Sequence, residues 1–243
     1  MRATLFGLPA SHPSLAAQLM LEHKGIEYRR VDFVAGLHRA AVRALGFPGI
    51  TVPAVRLDGA RLQGTRTIAL GLDALRPEPA LVPKDAAARD AVLRAESWGD
   101  EVLQPVPRRL VWGALKRDRS TLATYLEDAR LGMPPALAAR TAPPVVLLSA
   151  RLNRVSDESV RRDLAALPAL IDRVDELIAE GTIGGAARTV ADFQIATSVG
   201  LLLTMDDLRP LIEGRPAERH AREVAPRYPG RVGRVFPSGW LPR

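Results

Sequence analysis

The chain has no cysteine in its 243 residues. That absence excludes a disulfide framework, a thiolate zinc site, an iron–sulfur cluster and a cysteine nucleophile. Any thiol chemistry must therefore use a thiol that a substrate brings. The first residues, Met1 to Gly7, lack the long apolar core of a secretory signal, and Pro9, His12 and Pro13 interrupt the stretch where one would extend. No apolar run approaches the ~20 residues that span a bilayer. The expectation is a cytoplasmic protein with no membrane partner. Lysine is also scarce, since only Lys24, Lys84 and Lys116 are lysine among 34 basic residues. Basic residues never form a run of five or more, and pairs such as Arg29-Arg30, Arg108-Arg109 and Arg161-Arg162 are spread among acidic ones. A net charge of +7 distributed in this way speaks for non-specific attraction and not for a nucleic-acid site. There is no internal repeat and no low-complexity tract.

What is present is an ordinary globular composition, 47% hydrophobic and 25% charged, in a chain long enough for two domains. Ala3 to Pro9 is a short apolar run closed by proline, as in a buried strand. Ser11-His12-Pro13-Ser14 carries helix-start chemistry, with Ser14 as a first-turn residue and His12 expected in an exposed loop. Ala16, Leu19, Met20 and His23 then follow a helical period that ends at Gly25. Ile26 to Phe33 alternates with period two and reads as a second strand. A short helix is expected around Arg39 to Leu45, and a third strand over Val52 to Leu57. Asp58-Gly59 suits the positive φ values of a hairpin turn, so Ala60 to Gln63 is the returning strand. Thr65 to Leu75, with Ile68, Leu72 and Leu75 on one face, is the next helix. The order is β-α-β-α-β-β-α.

Strand signals fade beyond Lys84, which places a domain boundary in Pro77 to Lys84 and divides the chain into residues 1–80 and 85–243. A helix is expected from Asp85 past Trp98, kinked or split by Pro105 and Pro107. Another carries Leu164, Leu167, Ile171, Val174 and Ile178, with Pro168 inside it. Residues 117–155, with Met133-Pro134-Pro135 and Ala142-Pro143-Pro144, read as an irregular insertion. Thr189 and Asp192 are placed to satisfy free N–H groups at the start of a helix carrying Phe193 and Ile195.

The element order, Thr51-Val52-Pro53 before a hairpin, Ser11 thirteen residues before Lys24, and Thr189-Val190-Ala191-Asp192 together resemble the glutathione transferase superfamily. The resemblance implies a thioredoxin-like α/β N-terminal domain and an all-α C-terminal domain. It further implies a cis Pro53, Val52 offering backbone groups to the cysteinyl part of glutathione, and Ser11 as the catalytic hydroxyl of a serine-type-like member. An edge-strand trans proline and a plain helix cap are the structural alternatives for Pro53 and Ser11. The family's acidic residue before its third helix is absent, since Gln63-Gly64-Thr65-Arg66 stands there. Thr65 replaces the family's serine hydroxyl, Gln63 is expected to reach the ligand from one position earlier, and Gly64 raises the prospect of a bacterial thiol other than glutathione. Trp98, Val102, Arg109 and Trp112 are candidates for the electrophile pocket, with interdomain packing as the alternative. The implied activity is conjugation of glutathione or another low-molecular-weight thiol to a small electrophile by a homodimer, without a metal. A non-catalytic binding module is the competing function.

Overall fold

The computed structural model describes residues 2–131, 140 and 143–242. Four strands form one sheet: β1 (Ala3–Gly7), β2 (Tyr28–Asp32), β3 (Ala54–Leu57) and β4 (Ala60–Gln63), in the spatial order β2-β1-β3-β4. β1 and β2 run parallel, while β3 pairs antiparallel with both β1 and β4. β1 is the central strand, and its alternate side chains enter two different cores. Leu5 packs with Ala16, Met20, Ile68 and Leu72 of α1 (His12–His23) and α3 (Thr65–Leu75) on one face. Phe6 packs on the other face with Phe47 and with Val42 of α2 (His38–Ala44). The small sheet with its flanking helices is thioredoxin-like, as the sequence leads one to expect.

The boundaries differ from the sequence pattern where backbone donors are missing. β3 begins at Ala54 and not at Val52, because Pro53 has no N–H for the ladder. Both the Val52–Pro53 and the Glu78–Pro79 peptides are cis. At the hairpin, Asp58 and Gly59 both have positive φ, 45° and 93°, so the turn is the one that Asp-Gly favours.

The connector is fastened to what precedes and follows it. Buried Lys24 donates from Nζ to the Arg76 carbonyl at 2.6 Å and pairs with Asp73. The Asp73 carboxylate also accepts the N–H groups of Leu81 and Val82, each at 2.9 Å, and the Leu81 carbonyl accepts from Val190 N at 2.9 Å.

The helical part comprises α4 (Ala86–Trp98), α5 (Pro105–Arg117), α6 (Pro143–Leu152), α7 (Asp157–Ala179), α8 (Val190–Leu203) and α9 (Pro216–Val224). Between α4 and α5 lies a π turn, Gly99–Leu103, closed by Gln104 N to Gly99 O at 2.8 Å. The expected kink before Leu110 thus takes the form of a continuous helix with one residue inserted. A 3-10 stretch follows α5 at Ser120–Leu126. Pro143-Pro144 opens α6 where an irregular segment is expected, because proline is well suited to a helix's first turn. Met133-Pro134-Pro135 lies outside the described residues. Among the described residues no helix is long and apolar enough to cross a membrane.

α8 is buried along its whole length. It packs against α1, α3, α4, α5 and α9, so no face needs to be polar. The hydroxyls of Thr197 and Ser198 return to the carbonyls of Phe193 and Gln194 at 2.8 and 2.9 Å. The helix start is satisfied by Asp192, whose carboxylate accepts from Thr189 N (2.7 Å), Thr189 Oγ1 (2.8 Å) and Gly184 N (2.7 Å).

Replacing Asp192 with Ala leaves these buried donors without an acceptor, at a cost of about 3 kcal/mol. In a chain of this size that lowers the melting temperature by roughly 6–12 °C. Thermal unfolding followed by circular dichroism checks the value, and a shift below about 2 °C contradicts it.

Candidate functional site

A cavity of about 470 Å³ lies between the sheet's loops and the helices α5 and α6. One side is made by the loop after β1, by Val52-Pro53 and by the start of α3. The other is apolar, with Val111, Trp112 and Leu115 of α5, Leu122 and Tyr125 of the 3-10 stretch, and Val146 of α6.

Ser11 is the N-cap of α1 and lines the cavity. Its Oγ accepts from Ser14 N at 3.4 Å and from Ser14 Oγ at 3.0 Å, and Ser14 Oγ in turn accepts from Leu8 N. The Ser11 hydroxyl therefore receives two donors, and its own hydrogen has no acceptor among the described residues. Capping and presenting a donor to the cavity are compatible in this geometry. The loop is also tied from the far end of the sequence, since Tyr228 donates from its hydroxyl to the Ala10 carbonyl at 2.8 Å.

His12 is a correction to the sequence reading. It is the first residue of α1, only 2% exposed, and lines the cavity instead of an outer loop. Burial, reinforced by the charge of Arg108, holds its imidazole well below the ordinary histidine range. Its Nε2 has no hydrogen-bond partner among the described residues.

Val52 and Pro53 line the cavity beside Ser11. Neither the N–H nor the C=O of Val52 is hydrogen-bonded among the described residues, whereas the Pro53 carbonyl accepts from Gly64 N at 3.0 Å. Gly64 and Thr65 line the same side. Gly64 has φ of 84°, a conformation that penalises any residue with a Cβ, so a backbone requirement explains the missing acidic side chain. Thr65 donates to Glu96 Oε1 at 3.2 Å. Arg66 is occupied by Glu96 and the Leu93 carbonyl, joining α3 to α4 and leaving no charge for a ligand. Gln63 is turned away from the cavity: its side-chain amide spans Gly49 N and Thr51 O, both at 2.7 Å, and clamps the loop before Pro53.

Of the four expected pocket residues, the structure places only Trp112 in the cavity wall. Arg109 makes a two-pronged pair with Asp163 of α7, Trp98 packs on the main core, and Val102 is 47% exposed. The π turn is the cause. One inserted residue rotates everything after it by about 100°, so Arg108, Val111, Trp112 and Leu115 face inward in place of a set containing Arg109. Arg108, Tyr125 and the α6 residues carry no sequence signal, because their inward placement follows from that rotation and from a helix beginning at two prolines. The Tyr125 hydroxyl bonds Thr204 Oγ1 at 2.8 Å, and burial pushes it up to about 12.

This arrangement of sheet, loop and helices is the glutathione transferase fold. Residues 5–80 match the family model described as glutathione S-transferase, N-terminal domain. A glutathione S-transferase from Rhodospirillum rubrum is similar with a TM-score of 0.61 at 18% identity, over 93% of this chain and 88% of that one. The β-etherase LigF from Sphingobium gives 0.60 at 17% identity, over 92% and 99% of the two chains. A glutathione transferase homologue from Sulfitobacter, solved with bound glutathione, gives 0.55 at 18% identity, over 93% of each chain. No curated protein matches the sequence.

Because His12 is buried neutral, the unfolded chain binds its proton more readily than the folded one. Stability is therefore complete above the unfolded value near 6.5 and declines as pH falls below it. His23, His38 and His220 are shifted in the same direction by burial. The stability of the wild type is expected to fall between pH 7 and pH 5, by up to ~1.4 kcal/mol per unit for His12 alone. His12→Asn is expected to flatten that slope. Urea unfolding at several pH values measures it, and an unchanged slope in the variant contradicts the assignment.

Proposed function

We propose that this chain is a glutathione transferase-like enzyme of serine-type character, joining glutathione or another low-molecular-weight thiol to a small electrophile. The observation that carries the reading is the Ser11 hydroxyl, which faces the cavity with its hydrogen uncommitted among the described residues. Donated to a sulfur, that hydrogen favours the thiolate, which is the nucleophile, and the positive end of α1 acts in the same direction. The unpaired N–H and C=O of Val52 supply a strand-like edge for the peptide backbone of the thiol. The start of α3 at Gly64 and Thr65, where no side chain caps the helix, favours the thiol's terminal carboxylate. The thiolate attacks an electrophilic carbon, a C–S bond forms, and the leaving group departs with the electron pair of the bond that breaks. Rate comes from positioning and from a stabilised thiolate, and no metal enters the scheme. Residues 1–80 and 85–243 serve as a thiol-binding and an electrophile-binding domain. A cytoplasmic homodimer completes the reading by analogy with the family.

Isothermal titration with glutathione and, separately, with mycothiol tests it. Saturable binding of one thiol is expected, with Ser11→Ala retaining that binding within a few-fold. Conjugation to chlorodinitrobenzene is expected to fall about a hundredfold in the variant. If neither thiol binds, the transferase reading falls and a non-catalytic binding module replaces it.

A further inference from the structure

The apolar half of the cavity contains polar groups that the protein itself leaves unanswered. His12 Nε2, Gln104 Oε1 and Ser149 Oγ are buried without a partner among the described residues, and all three residues line the cavity. Their side chains are 2, 7 and 3% exposed. Arg108 lines the same wall, and its guanidinium makes neither a hydrogen bond nor an ion pair among the described residues. Asp100 is the nearby carboxylate, but it accepts from the side-chain amides of Gln104 and Gln194. The contrast with Arg109, which is fully engaged with Asp163 one residue later, is sharp. Removing polar groups from water without a partner is costly, and removing an unpaired charge more so. Orphaned groups that converge on one cavity are what a ligand's polar atoms would satisfy.

We propose that the electrophile this site accepts has an apolar body carrying a single anionic group, a carboxylate or sulfonate, which Arg108 binds. The inference rests on the transferase reading for the word electrophile and adds the substrate class. Val111 and Trp112, one turn along α5 from Arg108, receive the apolar body. His12 and Ser149 supply further hydrogen bonds to the head group. Burial already lowers the affinity of the Arg108 guanidinium for its proton, and an anion beside it reverses that cost. Arg108 is placed on the electrophile's side, and not on the thiol's, because it shares its helix face with Val111, Trp112 and Leu115 and not with Val52 or Thr65.

The test compares two probes with the same aromatic skeleton, anilinonaphthalene sulfonate and uncharged N-phenylnaphthylamine, by fluorescence titration of the whole chain without thiol. The sulfonate is expected to bind at least about tenfold more tightly, as a charge-assisted pair with arginine requires. Arg108→Met should bring the two affinities within about twofold while leaving that of N-phenylnaphthylamine unchanged. Arg94→Met, which removes an equal charge from the exposed face of α4, should leave the preference intact. Equal affinities in the wild type, or a preference that survives Arg108→Met, overturn the proposal. So does an Arg108→Met variant that loses glutathione but not the sulfonate. Should that variant fail to fold, the wild type alone decides: naphthylacetate must displace N-phenylnaphthylamine at lower concentration than its methyl ester does. An Arg108-dependent preference without thiol binding would retain this pocket and discard the transferase reading, so the two failures are separable.

Discussion

The carboxylate of Asp192 holds the architecture together at its most crowded point. α8 is buried on every side, so its N-terminal N–H groups and those of the loop before it cannot be satisfied by water. Asp192 accepts from Thr189 and Gly184, and that fixes where α8 begins. Because α8 packs against α1 and α3 as well as α4, α5 and α9, its position also fixes how the sheet's helices lie against the helical part. The cavity is the space left between them, and its width is therefore set by a hydrogen-bonded cap that makes no contact with it.

Within that cavity the two sides have different chemistry because they come from different kinds of element. Loops and a helix start contribute free backbone groups, the Ser11 hydroxyl and the positive ends of helix dipoles, all suited to a polar, peptide-like thiol. Helix faces contribute Val111, Trp112 and Leu115, which suit an apolar partner and exclude water from the reacting sulfur. The exclusion strengthens each charge interaction at the boundary between the two sides. Ser11 lies at that boundary, and its loop is held from a distance by Tyr228, so the site's geometry depends on a segment more than two hundred residues away in sequence.

Much of this was legible in the sequence, and the reasons for the exceptions are physical. The period-two and period-3.6 patterns locate β4 and α3, and Asp58-Gly59 locates the hairpin, because those signals are local. The same holds for Thr189 and Asp192, whose spacing alone defines a cap. Trp98, Val102 and Arg109 went astray for a local reason of another kind, since a single inserted residue in the π turn changes the phase of α5 and nothing in the apolar pattern announces it. Gln63 and Arg66 were drawn away from the cavity by backbone and carboxylate partners that only the folded chain brings near them. His12 is hidden for the opposite reason: an exposed-looking residue at a helix start is covered by α5 from a distant part of the chain. Pro143-Pro144 reads as a breaker in sequence and acts as a helix start in three dimensions.

The most direct test of the central claim is the ionisation of the bound thiol, read from thiolate absorbance in the ultraviolet as pH is raised over the protein saturated with glutathione. A free thiol titrates near ~8.5. The structure leads us to expect the bound thiol to titrate at least about one unit lower, and to return toward the free value in Ser11→Ala, while the protein still binds it. A bound thiol that titrates at its free value, equally in both proteins, would mean that Ser11 caps a helix and activates nothing.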